Sequence, residues 1–171
     1  MKTRGGGLTR PLAARVKTSL FSIISGEIPG SDFHDFFAGN GAVGIEALSR
    51  GVSRASFYEK NPVCVKIIKE NLERCGLVPK AAICLGDVLK IIRHKRISIA
   101  KPGIAFLGPP YDSNLGRETM LLLGRMGIDF SLIIVEVRKK EILESRYGVY
   151  HLFRDEYYGE TRLGFFRAGA S

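Results

Sequence analysis

The chain has 171 residues, of which 45% are hydrophobic and 25% charged, and it carries a formal net charge of +9. That profile excludes a disordered or fibrous chain and suits one domain with a substantial core, while the positive excess points to a polyanionic partner, because each cation set against a phosphate releases counterions. Cys64, Cys75 and Cys84 form no C-x-x-C pair, no apolar run reaches the roughly 18 residues of a membrane span, and the first ten residues are polar and glycine-rich, so composition predicts reduced cysteines, no metal site, no membrane association and a cytoplasmic location.

Residues 1–9, with Gly5, Gly6 and Gly7 between Arg4 and Thr9, offer too little apolar surface to offset ordering entropy and read as a flexible basic arm ahead of one domain over 10–171. From Arg10 the pattern changes. Leu12, Val16, Leu20, Ile23 and Ile24 recur at three- to four-residue steps, which predicts an amphipathic helix ending near Gly26. Phe33 to Phe37 then reads as a strand, Ala42 to Arg50 as a helix and Ala55 to Glu59 as a strand. Asn61 as N-cap, Pro62 at the first helical position and Gly76 past the end bracket the next helix.

The alternation continues with Ala81 to Leu85 as strand, Val88 to Lys95 as helix, Ile104 to Leu107 as strand, Arg117 to Met126 as helix and Leu132 to Val137 as strand. Runs such as Leu132-Ile133-Ile134-Val135 are apolar on both faces, which predicts an α/β fold with a mostly parallel sheet covered on both sides. Tyr150 to Arg154 and Arg162 to Phe166 flank a polar turn around Gly159 with no room for a helix, so the chain closes on an antiparallel hairpin.

Phe37-Ala38-Gly39-Asn40-Gly41-Ala42-Val43-Gly44 holds a G-x-G-x-x-G between a strand and a helix, where a ligand can approach the main chain. Asp35 precedes it, and Glu59, followed by Lys60, ends the next strand about 20 residues on, where a carboxylate can accept both ribose hydroxyl hydrogens. A nicotinamide dinucleotide and S-adenosylmethionine both fit such a loop, and the loop does not choose between them. Gly86-Asp87-Val88 after the third strand suits an acceptor for an adenine amino group, and Gly108-Pro109-Pro110-Tyr111 closes the fourth strand at the same sheet edge. A dehydrogenase needs neither feature, and little chain is left for a separate substrate domain. The plainer alternatives are a tight turn for the glycines and a helix cap for Asp87.

With these residues in view, the sequence resembles the RsmD family of 16S ribosomal RNA guanine-N2 methyltransferases. Arg10-Pro11, Arg15-Val16-Lys17 and Leu20-Phe21 are similar to that family's opening helix, and Asp35 to Gly41 with Gly44, Glu46-Ala47-Leu48-Ser49-Arg50-Gly51 to its cofactor loop and first helix. Glu59, Asn71-Leu72, Asp87, Pro109-Pro110-Tyr111 and Tyr158-Gly159-Glu160-Thr161 follow in the family's order. The resemblance implies a class I methyltransferase with a Rossmann-like, seven-stranded, mostly parallel sheet. It implies S-adenosyl-L-methionine as cofactor and, as partner, 16S ribosomal RNA within a 30S subunit or assembly intermediate, with a monomer as the default.

Methyl transfer to an exocyclic amine is a one-step displacement, so the chain's task is to align the reacting atoms and exclude water. The family resemblance gives Gly108, Pro109, Pro110 and Tyr111 the catalytic position, with Tyr111 stacking on the flipped base. Gly108, however, stands where that family has Asp or Asn, and Leu12-Ala13-Ala14 replaces a polar stretch. Loss of one positioned acceptor is worth roughly 3 kcal/mol, about a hundredfold in rate. The alternative this admits is an impaired protein of the same fold that binds RNA or assists ribosome assembly. Arg4, Arg10, Arg15 and Lys17 form the favoured RNA-binding cluster, ahead of Arg93-His94-Lys95-Arg96 and Arg138-Lys139-Lys140. His34 reads as a buried core residue, and Glu46 and Glu136 as helix-packing or edge residues.

Overall fold

The computed structural model describes residues 13–94, 97–99 and 102–169. The expected flexible arm over 1–9, Arg4 included, lies outside the described residues, as does Arg10. The helices are α1 (Ala14–Ile23), α2 (Ala42–Ser49), α3 (Pro62–Arg74), α4 (Val88–Arg93) and α5 (Leu115–Met126). The strands are β1 (Asp32–Phe36), β2 (Arg54–Glu59), β3 (Ala81–Leu85), β4 (Gly103–Leu107), β5 (Leu132–Arg138), β6 (Arg146–Tyr147), β7 (Tyr150–Tyr158) and β8 (Thr161–Ala168).

They form one eight-stranded sheet in the order β3-β2-β1-β4-β5-β8-β7-β6. β1 to β5 pair in parallel, whereas β8 joins β5 antiparallel and continues through β7 to β6. The seven anticipated strands are all present; the eighth, β6, is two residues long, too short to leave a periodic signal.

Alternation along the strands sorts the core into two layers. Phe33, Phe57, Ile104, Phe106, Leu132 and Ile134 pack with Leu20, Phe21, Ile45, Ile68 and Leu72, so α1, α2 and α3 cover one face. Phe36, Ala105, Leu107, Ile133, Val135 and Val137 pack with Ile91, Ile92, Met120 and Leu123, so α4 and α5 cover the other. Burial on both faces is what an apolar parallel strand requires, and each such aromatic or aliphatic side chain contributes about 1.5–3 kcal/mol when fully buried.

Local signals fix the boundaries. Asn61 Oδ1 accepts from Val63 N–H at 2.9 Å ahead of Pro62, and Gly76 terminates the segment at φ +66°. The hairpin is longer than its apolar residues suggest, since β7 and β8 pair out to Tyr158↔Thr161 around Gly159-Glu160, and a bulge at Phe153 shifts the register. The end of the first strand also departs from expectation: β1 ends at Phe36, and Phe37 takes a left-handed φ of +64°, a conformation a bulky residue adopts only at a cost. The chain thereby turns sharply into the glycine loop. Since β2 lies on one side of β1 and β4 on the other, the sheet reverses its order beside β1, and the carboxyl ends of these strands leave a crevice there.

Candidate active site

The crevice is a cleft of about 560 Å³. Asp35, Phe37, Ala38, Gly39 and Asn40 line it from β1 and its loop, Glu59 and Lys60 from the end of β2, and Gly86, Asp87 and Val88 from the end of β3. Gly108, Pro109, Pro110 and Tyr111 line it after β4, facing Glu136 and Arg138 of β5. Every residue assigned from sequence to cofactor or catalysis meets here except Gly41. Gly41 is the buried N-cap residue of α2 at φ +78°, and a Cβ there would meet Ile68 at 3.2 Å, so it shapes the turn from behind. A second depression of about 350 Å³, beside Ile142 and Arg117, holds none of the motif residues.

The glycine loop is held by carboxylates. Glu59 Oε2 accepts from Gly39 N–H and Oε1 from Asn61 N–H, both at 2.8 Å. A carboxylate offers about four acceptor sites, so Glu59 retains capacity for two hydroxyl donors after fixing the loop. Asp35 Oδ2 accepts from Gly44 N–H at 2.9 Å, and a Cβ on Gly44 would lie 2.4 Å from the Phe57 ring, so this glycine allows α2 to sit directly on the sheet. Burial pushes the Asp35 carboxyl up to about 8; the Gly44 hydrogen bond opposes this, and nearby Glu59 and Glu136 add to it. Asn71 Nδ2 donates to Asn40 O at 3.1 Å, tying the loop to α3.

Asp87 caps α4, its Oδ1 accepting from Lys90 N–H at 3.0 Å, and the residue also lines the cleft. His34 is a core residue as expected, with Nδ1 2.9 Å from Tyr58 Oη and burial lowering its pKa to about 4.

The opposite wall holds what the sequence reading missed. β4 and β5 run in register with Leu107 beside Val135, so the next pair brings Gly108 beside Glu136. Glu136, 9% exposed, accepts through Oε1 from Tyr111 O–H at 2.8 Å, and Thr161 Oγ1 lies 3.1 Å from the same hydroxyl. Glu136, expected in an edge or packing role, thus packs against Tyr111 and also lines the cleft. A Cβ on Gly108 would come 2.9 Å from the Phe106 ring and 3.4 Å from Glu136 Oε2, so an acid at 108 would crowd both. The Arg138 guanidinium lies over the Tyr111 ring at 5.4 Å, and Arg138 and Lys140 both reach Asp112, which holds φ +58°.

Of the candidate RNA contacts, Arg4 and Arg10 lie outside the described residues. Arg15 is exposed on α1, but Lys17 is half-buried and paired with Glu46 at 3.4 Å. Arg138, from a cluster ranked lower on sequence, lines the cleft, with exposed Lys139 and Lys140 following it. The signal for Glu136 and Arg138 was their place at the end of an apolar strand, which becomes informative only through the pairing of β4 with β5.

A parallel sheet that reverses order beside a carboxylate-pinned glycine loop is the architecture of the class I methyltransferases. The chain superposes on the yhhF protein of Escherichia coli with a TM-score of 0.80 at 27% identity, covering 95% of this chain and 90% of that one. It also superposes on an RNA methyltransferase from Salinibacter ruber, solved with S-adenosyl-L-homocysteine, with a TM-score of 0.71 at 15% identity over 95% of each chain, a likeness of fold alone. The chain belongs to the family described as Conserved hypothetical protein 95, whose model matches residues 1–167, and this is the RsmD family that its motifs resemble. Ribosomal RNA small subunit methyltransferase D of Escherichia coli (strain K12) is 29% identical over 158 residues, 89% of this chain and 76% of that protein.

Proposed function

We propose that this protein methylates ribosomal RNA with S-adenosylmethionine, and that its target is the exocyclic N2 of a guanine in 16S RNA, presented by a 30S subunit or an assembly intermediate. It acts as a monomer in the cytoplasm. The observation that carries the reading is the meeting of the glycine loop, Glu59, Asp87 and the Pro109-Pro110-Tyr111 corner in one cleft.

The residues present fit the cofactor. Glu59 is positioned to accept from the two ribose hydroxyls, Asp87 and the main chain beside Val88 to hold the adenine, and the loop from Phe37 to Asn40 to let the methionine part approach the backbone. When bound, the cofactor supplies an electrophilic methyl on sulfur. This chain's part is to present the amine in line with it and to keep water out. Pro109 is buried and gives the corner a rigid backbone whose carbonyl oxygens can accept an amine hydrogen, and Tyr111 offers an aromatic surface for the flipped base. Arg138 and Lys140 place positive charge on the same rim, where a phosphate next to the flipped base would be drawn.

The test is to incubate the protein and S-adenosylmethionine with 30S particles and with deproteinised 16S RNA, and to digest the RNA for nucleoside mass spectrometry. One new N2-methylguanosine is expected. RNA that binds but gains no methyl group in either form would favour the second reading, an RNA-binding or assembly protein, which the glycine at position 108 supports.

A further inference from the structure

We propose that Glu136 is a catalytic residue that accepts a hydrogen of the reacting amine from the neighbouring strand, so that an acceptor is present although residue 108 has no side chain. The inference rests on the methyl-transfer reading above. Among the described residues, four carboxyl side chains line the cleft, those of Asp35, Glu59, Asp87 and Glu136. The first two bind main-chain amides around the glycine loop, and Asp87 caps α4, so all three stand in the cofactor half. Glu136 is the one beside Pro109, Pro110 and Tyr111.

Its orientation suits the task. Even-numbered residues of β5 share a face with Phe106, as Leu132 and Ile134 show, and Glu136 continues that row into the cleft. Oε1 is anchored by the Tyr111 hydroxyl at 2.8 Å, while Oε2 lies 3.4 Å from where a Cβ on Gly108 would be. The glycine therefore puts no side chain of residue 108 between the Pro109 corner and Oε2. The Tyr111 hydrogen bond also links the acceptor to the ring that stacks on the base, so base and acceptor are positioned by one pair of side chains.

In the reaction the amine nitrogen forms a bond to the methyl carbon as the carbon–sulfur bond breaks, with its electron pair remaining on sulfur, and the nitrogen sheds one proton. A hydrogen bond from the amine to Oε2 orients the nitrogen lone pair toward the methyl and gives that proton its first acceptor, from which it passes to water.

The test compares single-turnover methylation by the wild type, Glu136→Ala, Glu136→Gln and Tyr111→Phe, alongside calorimetric binding of S-adenosylhomocysteine. Glu136→Ala, which removes the acceptor, is expected to lower the rate about a hundredfold with RNA and cofactor affinity unchanged. Glu136→Gln, which keeps an amide oxygen as acceptor, should recover part of the rate, and Tyr111→Phe, which keeps the carboxylate, should lose less than tenfold. A wild-type rate in Glu136→Ala overturns the proposal while leaving the methyl-transfer reading intact. A loss in Tyr111→Phe equal to that in Glu136→Ala also overturns it, because Glu136 would then serve only to anchor the tyrosine. A wild type that binds cofactor but transfers no methyl overturns both.

Discussion

The two halves of the cleft are built on opposite plans. In the cofactor half, carboxylates bind the backbone: Glu59 fixes Gly39 and Asn61, and Asp35 fixes Gly44, so the acids create the shape of the loop as well as its chemistry. In the acceptor half, side chains bind one another: Glu136 holds Tyr111, Thr161 shares that hydroxyl, and Arg138 covers the ring. A side-chain arrangement can be carried by whichever strand is adjacent, whereas a backbone loop depends on its own glycines. That difference explains how position 108 can lack a functional group without emptying the site of a carboxylate.

Substitutions should separate the two plans. The largest effect is expected in the cofactor half from Gly44→Ala, whose Cβ would enter the fully buried Phe57 ring at 2.4 Å. A loss of about 3 kcal/mol follows, seen as a fall of roughly 6–12 °C in Tm on thermal unfolding. Asp35 gives the next effect through pH. Its folded pKa is raised to about 8, so between about 4 and about 8 the folded protein retains a proton that the unfolded chain has released. Stability therefore falls as pH rises through that window. Asp35→Asn keeps an acceptor for Gly44 and should remove the slope: denaturant titrations should show the variant matching wild type near pH 4 and exceeding it by a few kcal/mol near pH 9.

Sequence reading named the residues on the glycine-loop side of the cleft but gave Glu136 and Arg138 opposite no place in it, for a physical reason. Gly39, Glu59 and Asp87 lie at strand ends next to turns, and their meaning is local: a glycine permits an approach, and an acid 20 residues on reaches the same edge. Glu136 follows four apolar residues and is locally indistinguishable from a strand-end acid meeting solvent; only the Leu107↔Val135 register brings it to Gly108. The same limit hid the left-handed turn at Phe37, since the residue type argues for continuing the strand. Lys17 was legible as a cation, but its Glu46 partner on α2 was not, because a packing contact between helices leaves no trace in spacing.

Smaller effects sharpen the comparison further. Glu59→Ala removes the loop anchor together with the proposed ribose acceptor, and calorimetry should find cofactor affinity lowered about 10- to 100-fold, with RNA affinity unchanged within twofold. Arg15→Ala on the exposed face of α1 should weaken RNA binding only a few-fold and reduce the slope of log affinity against log salt by about one, as measured by filter binding. Lys17→Ala should change that slope less, its charge being opposed by Glu46.

The central claim is that the carboxylate-pinned loop forms a receptor for a methionine-linked adenosine. Titration of the wild type with S-adenosylhomocysteine, followed by calorimetry and by amide NMR shifts, tests it directly. Saturable one-to-one binding, with the largest shifts at Gly39, Asn40, Lys60 and Val88, is the predicted result. No heat and no shifts at those amides, at ligand concentrations up to about 1 mM, would contradict the account.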